Sequence, residues 1–108
     1  MIDMDKVFCQ RDLDLNRDDK VIVSISIPEL SKDNESEYHC HYHIFGLKRE
    51  ERGRVIGVDS LQSLQLVMKR VGAILYTSPE WTDGRLSWNG DKDLGFPLPD
   101  SLKDLQPI

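Results

Sequence analysis

Three histidines, His39, His41 and His43, stand at alternate positions in the run YHCHYHIF at 38–45. In an extended chain, residues two apart project from one face, roughly 7 Å from each other. Such an H-x-H pair can chelate zinc from a single strand, with His39 and His41 as the two ligands. The outer histidines start roughly 13 Å apart, so all three cannot share one ion. A zinc centre needs a further ligand from another strand. The sequence offers no C-x-x-C, no H-E-x-x-H and no second cluster that would mark one. The solvated face of an antiparallel sheet is also where polar residues belong, and the pattern favours that reading. No metal and no cofactor are therefore expected, with a His39/His41 metal site as the alternative.

Other chemistry is weaker still. The carboxylate pairs Asp12/Asp14, Asp18/Asp19, Glu50/Glu51 and Asp91/Asp93 lie in or beside turn-like segments. General acid–base work needs a cleft and perturbed pKa values, and exposed turn acids have neither by default. The DKD at 91–93 lacks the glycine and terminal glutamate of a calcium loop. No G-x-S-x-G, glycine-rich phosphate loop or Cys/His motif supplies a nucleophile or a cofactor cradle. No catalytic residue is assigned, and an enzyme is not expected. Trp81, Trp88 and Phe96 cluster among acids near the end of the chain. They either plug the open end of the core or form an anchor patch for a partner protein.

The elements that position these residues can be read from periodicity. KVIVSISI at 20–27 is the clearest strand, with Val21, Val23, Ile25 and Ile27 on one face and Ser24 and Ser26 on the other. Pro28 ends it, because proline cannot donate to a ladder. Residues 37–45 alternate again, with Tyr38, Cys40, Tyr42 and Ile44 opposite the histidines and Phe45. A strand at 6–15 carries Val7, Cys9, Leu13 and Leu15 on one face, interrupted by Arg11. A shorter strand covers 54–58, after a charged connection from Gly46 to Gly53. Asp83-Gly84 and Asn89-Gly90 bracket a last short strand, RLSW at 85–88.

One amphipathic helix stands out. Leu61, Leu64, Val67, Met68, Val71, Ile74 and Leu75 fall on a stripe roughly 140° wide, with Tyr76 outside it. Asp59 suits the N-cap, Gln62 the capping-box position, and Pro79 forbids continuation. Gly72 costs about 1 kcal/mol against alanine in a helix interior. It marks either a close backbone approach or a neutral solvent-side position. Leu66 and Ala73, off the stripe, could take the C-terminal tail or a second protomer. The architecture is α+β: a four- to five-stranded, mainly antiparallel meander with one long helix across a face, forming a single domain over 1–108.

The 108 residues carry 39% hydrophobic and 31% charged side chains, the balance of a soluble globular domain. No apolar run is long enough to span a membrane, and the start MIDMDK lacks a secretory signal, so a cytoplasmic location is expected. Two cysteines, Cys9 and Cys40, read as small buried thiols in a reducing compartment. A net charge of −5 argues against nucleic-acid binding. Residues 36–76 carry six bases and four acids, whereas 77–108 carry six acids and three bases. The acidic C-terminal third, with Trp81, Trp88 and Phe96 interleaved, suits capture of a basic protein partner. Nothing in the sequence sets an oligomeric state.

The box GVDSLQSLQLVMKRVGAIL (57–75), preceded by YHCHYHIFGL (38–47) and followed by Gly-Phe-Pro (95–97), resembles a family of small bacterial proteins of unknown function. Its members carry a Gly-Val-Asp-Ser-x-Gln-Ala-Leu-like box before one helix. Here Ser63 stands where the pattern often has alanine, and the histidine-rich strand is a departure. Similar boxes occur in small immunity proteins that neutralise bacterial toxins. The resemblance therefore implies a non-catalytic binding module of the immunity or adaptor type.

Overall fold

The computed structural model describes residues 6–105. Strands β1 (Val7–Leu15), β2 (Asp19–Ser26), β3 (Glu29–Leu30), β4 (Tyr38–Phe45) and β5 (Glu51–Gly57) precede the helix α1 (Ser60–Tyr76). A four-residue helix α2 (Pro79–Thr82), strand β6 (Leu86–Ser87) and a 3-10 helix at Asp100–Leu105 complete the chain. All pairings are antiparallel. Across the sheet the order is β5, β4, β2, β1, β6, with β3 pairing β4 beyond the end of β2. The count is six strands, and two of them, β3 and β6, are only two residues long.

Alternation explains the main strands. Val21, Val23 and Ile25 on β2 and Cys40, Tyr42 and Ile44 on β4 are all buried. Pro28 interrupts β2, and the chain resumes as β3 with its register on β4 shifted by one residue. The shift would leave ladder groups unpaired, which is costly in a sheet interior. Ser26 fills the gap: its hydroxyl accepts from the His41 N–H at 2.8 Å, and its carbonyl accepts from the Cys40 thiol at 3.4 Å. Ser26 is accordingly buried, although its position in the alternation makes it a surface residue. Strand β5 begins at Glu51, inside the segment expected to be a connection, because Glu51 and Arg52 pair Ile44 and His43.

The helix begins where expected. Asp59 is the N-cap, accepting from the Gln62 N–H at 2.7 Å, and Gln62 reaches back to accept from the Val58 N–H at 2.8 Å. This is a capping box displaced by one residue. Thr77 caps the far end, and the Ser78 hydroxyl donates to the Leu75 carbonyl at 2.6 Å before Pro79 opens α2.

The buried face of α1 is rotated from the predicted stripe. Ser63, Val67, Val71 and Leu75 form its centre, with Gly72 and Tyr76 beside it. Leu64, Met68 and Ile74 are only partly buried, and Leu61 is 63% exposed. Backbone proximity explains the rotation. A Cβ on Gly57 would lie 2.5 Å from the Ser63 nitrogen, so the end of β5 presses against the small-residue side of the helix. One on Gly72 would lie 2.1 Å from the Pro97 carbonyl oxygen, where the C-terminal tail crosses. Gly72 is therefore a close-approach glycine. Tyr76 is fully buried because its hydroxyl is satisfied: it accepts from the Leu94 N–H at 2.8 Å and donates to Asp93 at 3.2 Å. Burial pushes its phenol pKa up.

The tail packs on the body through Leu94, Phe96 and Leu98, all buried. Of the two free cysteines, Cys40 is buried, but Cys9 is exposed, which corrects the reading of both as buried thiols. A register irregularity between Val7 and Cys9 marks the end of the well-covered part of β1. The rotated helix face has a measurable consequence. Val71→Ala is expected to destabilise the protein by roughly 2–3 kcal/mol. Leu61→Ala should cost less than about 0.5 kcal/mol, as exposed substitutions do. Urea unfolding of the two variants checks this, and equal losses would restore the predicted stripe.

Candidate functional site on the open face of the sheet

Helix α1 packs against β4 and β5 on one side of the sheet only. The other side carries the histidines. The register sets His41 opposite Arg54, His43 opposite Arg52 and His39 opposite Ile56. Ser24 and Ile22 of β2 extend the same rows past His43 and Phe45. Phe45 and Ile56 are exposed there, at 55% and 47%.

The three histidines sit in three different environments. His43 is buried and its Nε2 makes a close hydrogen bond with Glu50, whose carboxyl is held below its ordinary pKa chiefly by that bond. His39 accepts from the Arg54 guanidinium at Nδ1, 3.3 Å away. Its Nε2 is buried without a hydrogen-bond partner and stands 3.6 Å from Glu37. His41 is exposed. Partial burial lowers its pKa most, followed by the Arg54 charge; His39 and Lys6 act in the same sense and Glu29 against them. Arg54 thus occupies the ring nitrogen of His39 that faces it. Among the described residues no group of three His, Cys, Asp or Glu side chains could hold a metal ion.

His39 and His41 instead line a groove of about 620 Å³ that runs over β3, β4 and β5. Its cations are Lys6, Lys32, Arg52 and Arg54, and its acids are Glu29 and Asp33. Lys6 and Glu29 pair at 3.3 Å. Among the described residues neither Arg52 nor Arg54 has a carboxylate within salt-bridge distance. The groove is therefore basic on a chain whose net charge is −5. Charge counting along the sequence missed it, because the cations converge from three separate segments. The only local signal was KREERGR at 48–54, which reads alone as a solvated turn.

The aromatic trio lies elsewhere, at the β6 end. Phe96 is 4% exposed and belongs to the core. Trp81 meets Tyr76 edge to face with centroids 4.9 Å apart, and its indole N–H donates to the Lys92 carbonyl at 2.9 Å. Trp88 lies under the Arg11 guanidinium, 3.8 Å from its ring centroid, a cation–π stack. Arg11 also donates to the Leu94 and Gly95 carbonyls at 3.1 and 3.2 Å. The residue that interrupts the β1 pattern is thus the clamp that holds the tail. Both tryptophans are half-buried against the core.

Several other acids serve the scaffold. Asp14 pairs with Lys20, Glu51 with Arg49, and Asp93 accepts from the Tyr76 hydroxyl and the Gly95 N–H. Glu80 is the acid that the sequence did not single out. It is 4% exposed, lines a second groove of about 780 Å³, and accepts from the Lys48 N–H at 2.7 Å. That bond ties the β4–β5 turn to α2.

An antiparallel sheet with one face under a helix and one face open defines an α+β protein with a basic groove. The chain belongs to the family of the domain of unknown function DUF6968, whose profile matches residues 9–98. No curated protein and no solved structure matches it. Among the described residues no helix is long and apolar enough to cross a membrane.

The packing of the trio sets an expectation for Trp88. Its replacement by alanine removes the Arg11 stack and should lower stability by roughly 2–3 kcal/mol. Thermal or denaturant unfolding checks this. A variant as stable as the parent would mean that the ring contributes nothing to holding the tail.

Proposed function

We propose that the protein is a non-catalytic binding module, of the adaptor or toxin-neutralising type, that engages an acidic region of a partner protein through the open face of its sheet. The observation that carries this reading is Arg52 and Arg54 side by side on β5, above a groove, without carboxylate partners among the described residues. Exposed cations over a half-apolar floor combine steering with desolvatable contact area. Phe45 and Ile56 supply the exposed apolar part on the same face.

The sequence placed the contact on Trp81, Trp88 and Phe96 and made the partner basic. Phe96 is buried and the indoles hold the tail, which supports the open face as the better candidate. The immunity-type box fits a module that neutralises by binding. Two free cysteines suit a reducing, cytoplasmic setting.

Charge reversal tests the reading. The double variant Arg52→Glu/Arg54→Glu should fold as the parent does and lose at least tenfold in affinity for any protein captured by the wild type. The parent's binding should also weaken as salt rises. Undiminished capture by the charge-reversed variant would contradict the open-face assignment.

A further inference from the structure

The groove narrows the chemistry of what it holds. Arg52 and Arg54 are alternate residues of one strand, so their side chains leave the same face roughly 7 Å apart. His41 lies directly across from Arg54, and His43 across from Arg52. His43 is already engaged by Glu50, whereas His41 is exposed and makes no hydrogen bond with its ring among the described residues. Lys32, on the loop after β3, closes the opposite wall. A ligand lying along the strands thus meets two guanidinium forks at the repeat of an extended chain. Each fork matches a carboxylate in bidentate geometry.

We propose that the groove seats an extended acidic segment of the form acid-x-acid, with one carboxylate on Arg52 and the next on Arg54, beside His41. This rests on the reading of the open face as the working surface. Acids at adjacent positions of an extended chain point to opposite sides, so only one of them would reach the forks. The seat selects spacing as well as charge. Lys32 contributes a cation to the far wall, Glu29 is paired with Lys6, and Asp33 is the other acid of the lining, so the cations outnumber the acids four to two.

Occupation also takes up a proton. The groups facing His41 are Arg54 from β5, Glu29 from β3, His39 from its own strand and Lys6 from the segment before β1. In the empty groove their sum, with partial burial, favours the neutral ring. A carboxylate arriving beside it favours the charged ring. The ring's pKa therefore rises on binding, and affinity increases as pH falls toward the lowered value of the free protein.

The test uses two blocked hexapeptides of the same composition, one with alternate acids (Thr-Glu-Thr-Glu-Thr-Thr, the alternating peptide) and one with adjacent acids only (Thr-Thr-Glu-Glu-Thr-Thr). Calorimetry on the whole protein should show the alternating peptide binding at least tenfold tighter. Arg52→Gln or Arg54→Gln should remove that preference. The alternating peptide should bind more tightly at pH 5.5 than at pH 7.5, and His41→Gln should flatten this dependence. Equal affinity for the two peptides, or inorganic phosphate competing as well as the peptide does, would overturn the proposal. Should the peptides bind equally while Arg52→Glu/Arg54→Glu still abolishes partner capture, the spaced-carboxylate seat falls and the open-face reading stands. Capture that survives charge reversal removes the open-face reading itself.

Discussion

Two glycines decide where the helix can lie. At Gly57 the end of β5 comes against the Ser63 backbone, and at Gly72 the Pro97 carbonyl comes against the helix itself. Neither contact leaves room for a Cβ. Between them Val67, Val71 and Leu75 drop onto the sheet, and every one is fully buried. The helix is therefore held by backbone proximity as much as by its apolar stripe. Its far side is then spanned by the tail, through Phe96 and Leu98. With helix and tail both committed to one face of the sheet, the opposite face of β4 and β5 is the broad uncovered surface of the fold.

That surface reverses the charge of the molecule. Several of the acids are spent on local pairs: Asp14 with Lys20, Asp83 with Arg85, Asp100 with Lys103. Arg52 and Arg54 stay clear of them because β5 is an edge strand whose open-face neighbours are histidines. Arg54 donates to the His39 ring and adds to the burial that chiefly lowers the pKa of His41. A basic cleft on an acidic protein focuses its field locally.

Much of this was legible in the sequence. Alternation located β2 and β4 almost to the residue, and the cap at Asp59 and the stop at Pro79 bounded the helix. The family's unknown function and the α+β architecture agree with the resemblance. The errors have separate physical causes. A helical wheel weighs apolar volume, so it favoured Leu61 and dismissed Tyr76. The fold instead weighs backbone approach, which small residues such as Ser63 permit, and hydroxyl satisfaction, which Tyr76 finds at Leu94. Arg11 looked like a defect in a strand because its partners, Trp88 and the 94–95 carbonyls, lie some eighty residues away. Strand β5 was cut short because charged residues read as a loop, although an edge strand with one open face accommodates them. The groove itself was invisible, since no single window contains its cations.

The central claim is that the open face of β4 and β5 is the working surface and the aromatic end is scaffold. Amide hydrogen exchange of the protein, free and bound to a captured partner, tests it most directly. The account predicts added protection in residues 29–33, 38–45 and 51–57 on binding, with 77–98 unchanged. Protection confined to 77–98, with β4 and β5 exchanging as they do in the free protein, would contradict it.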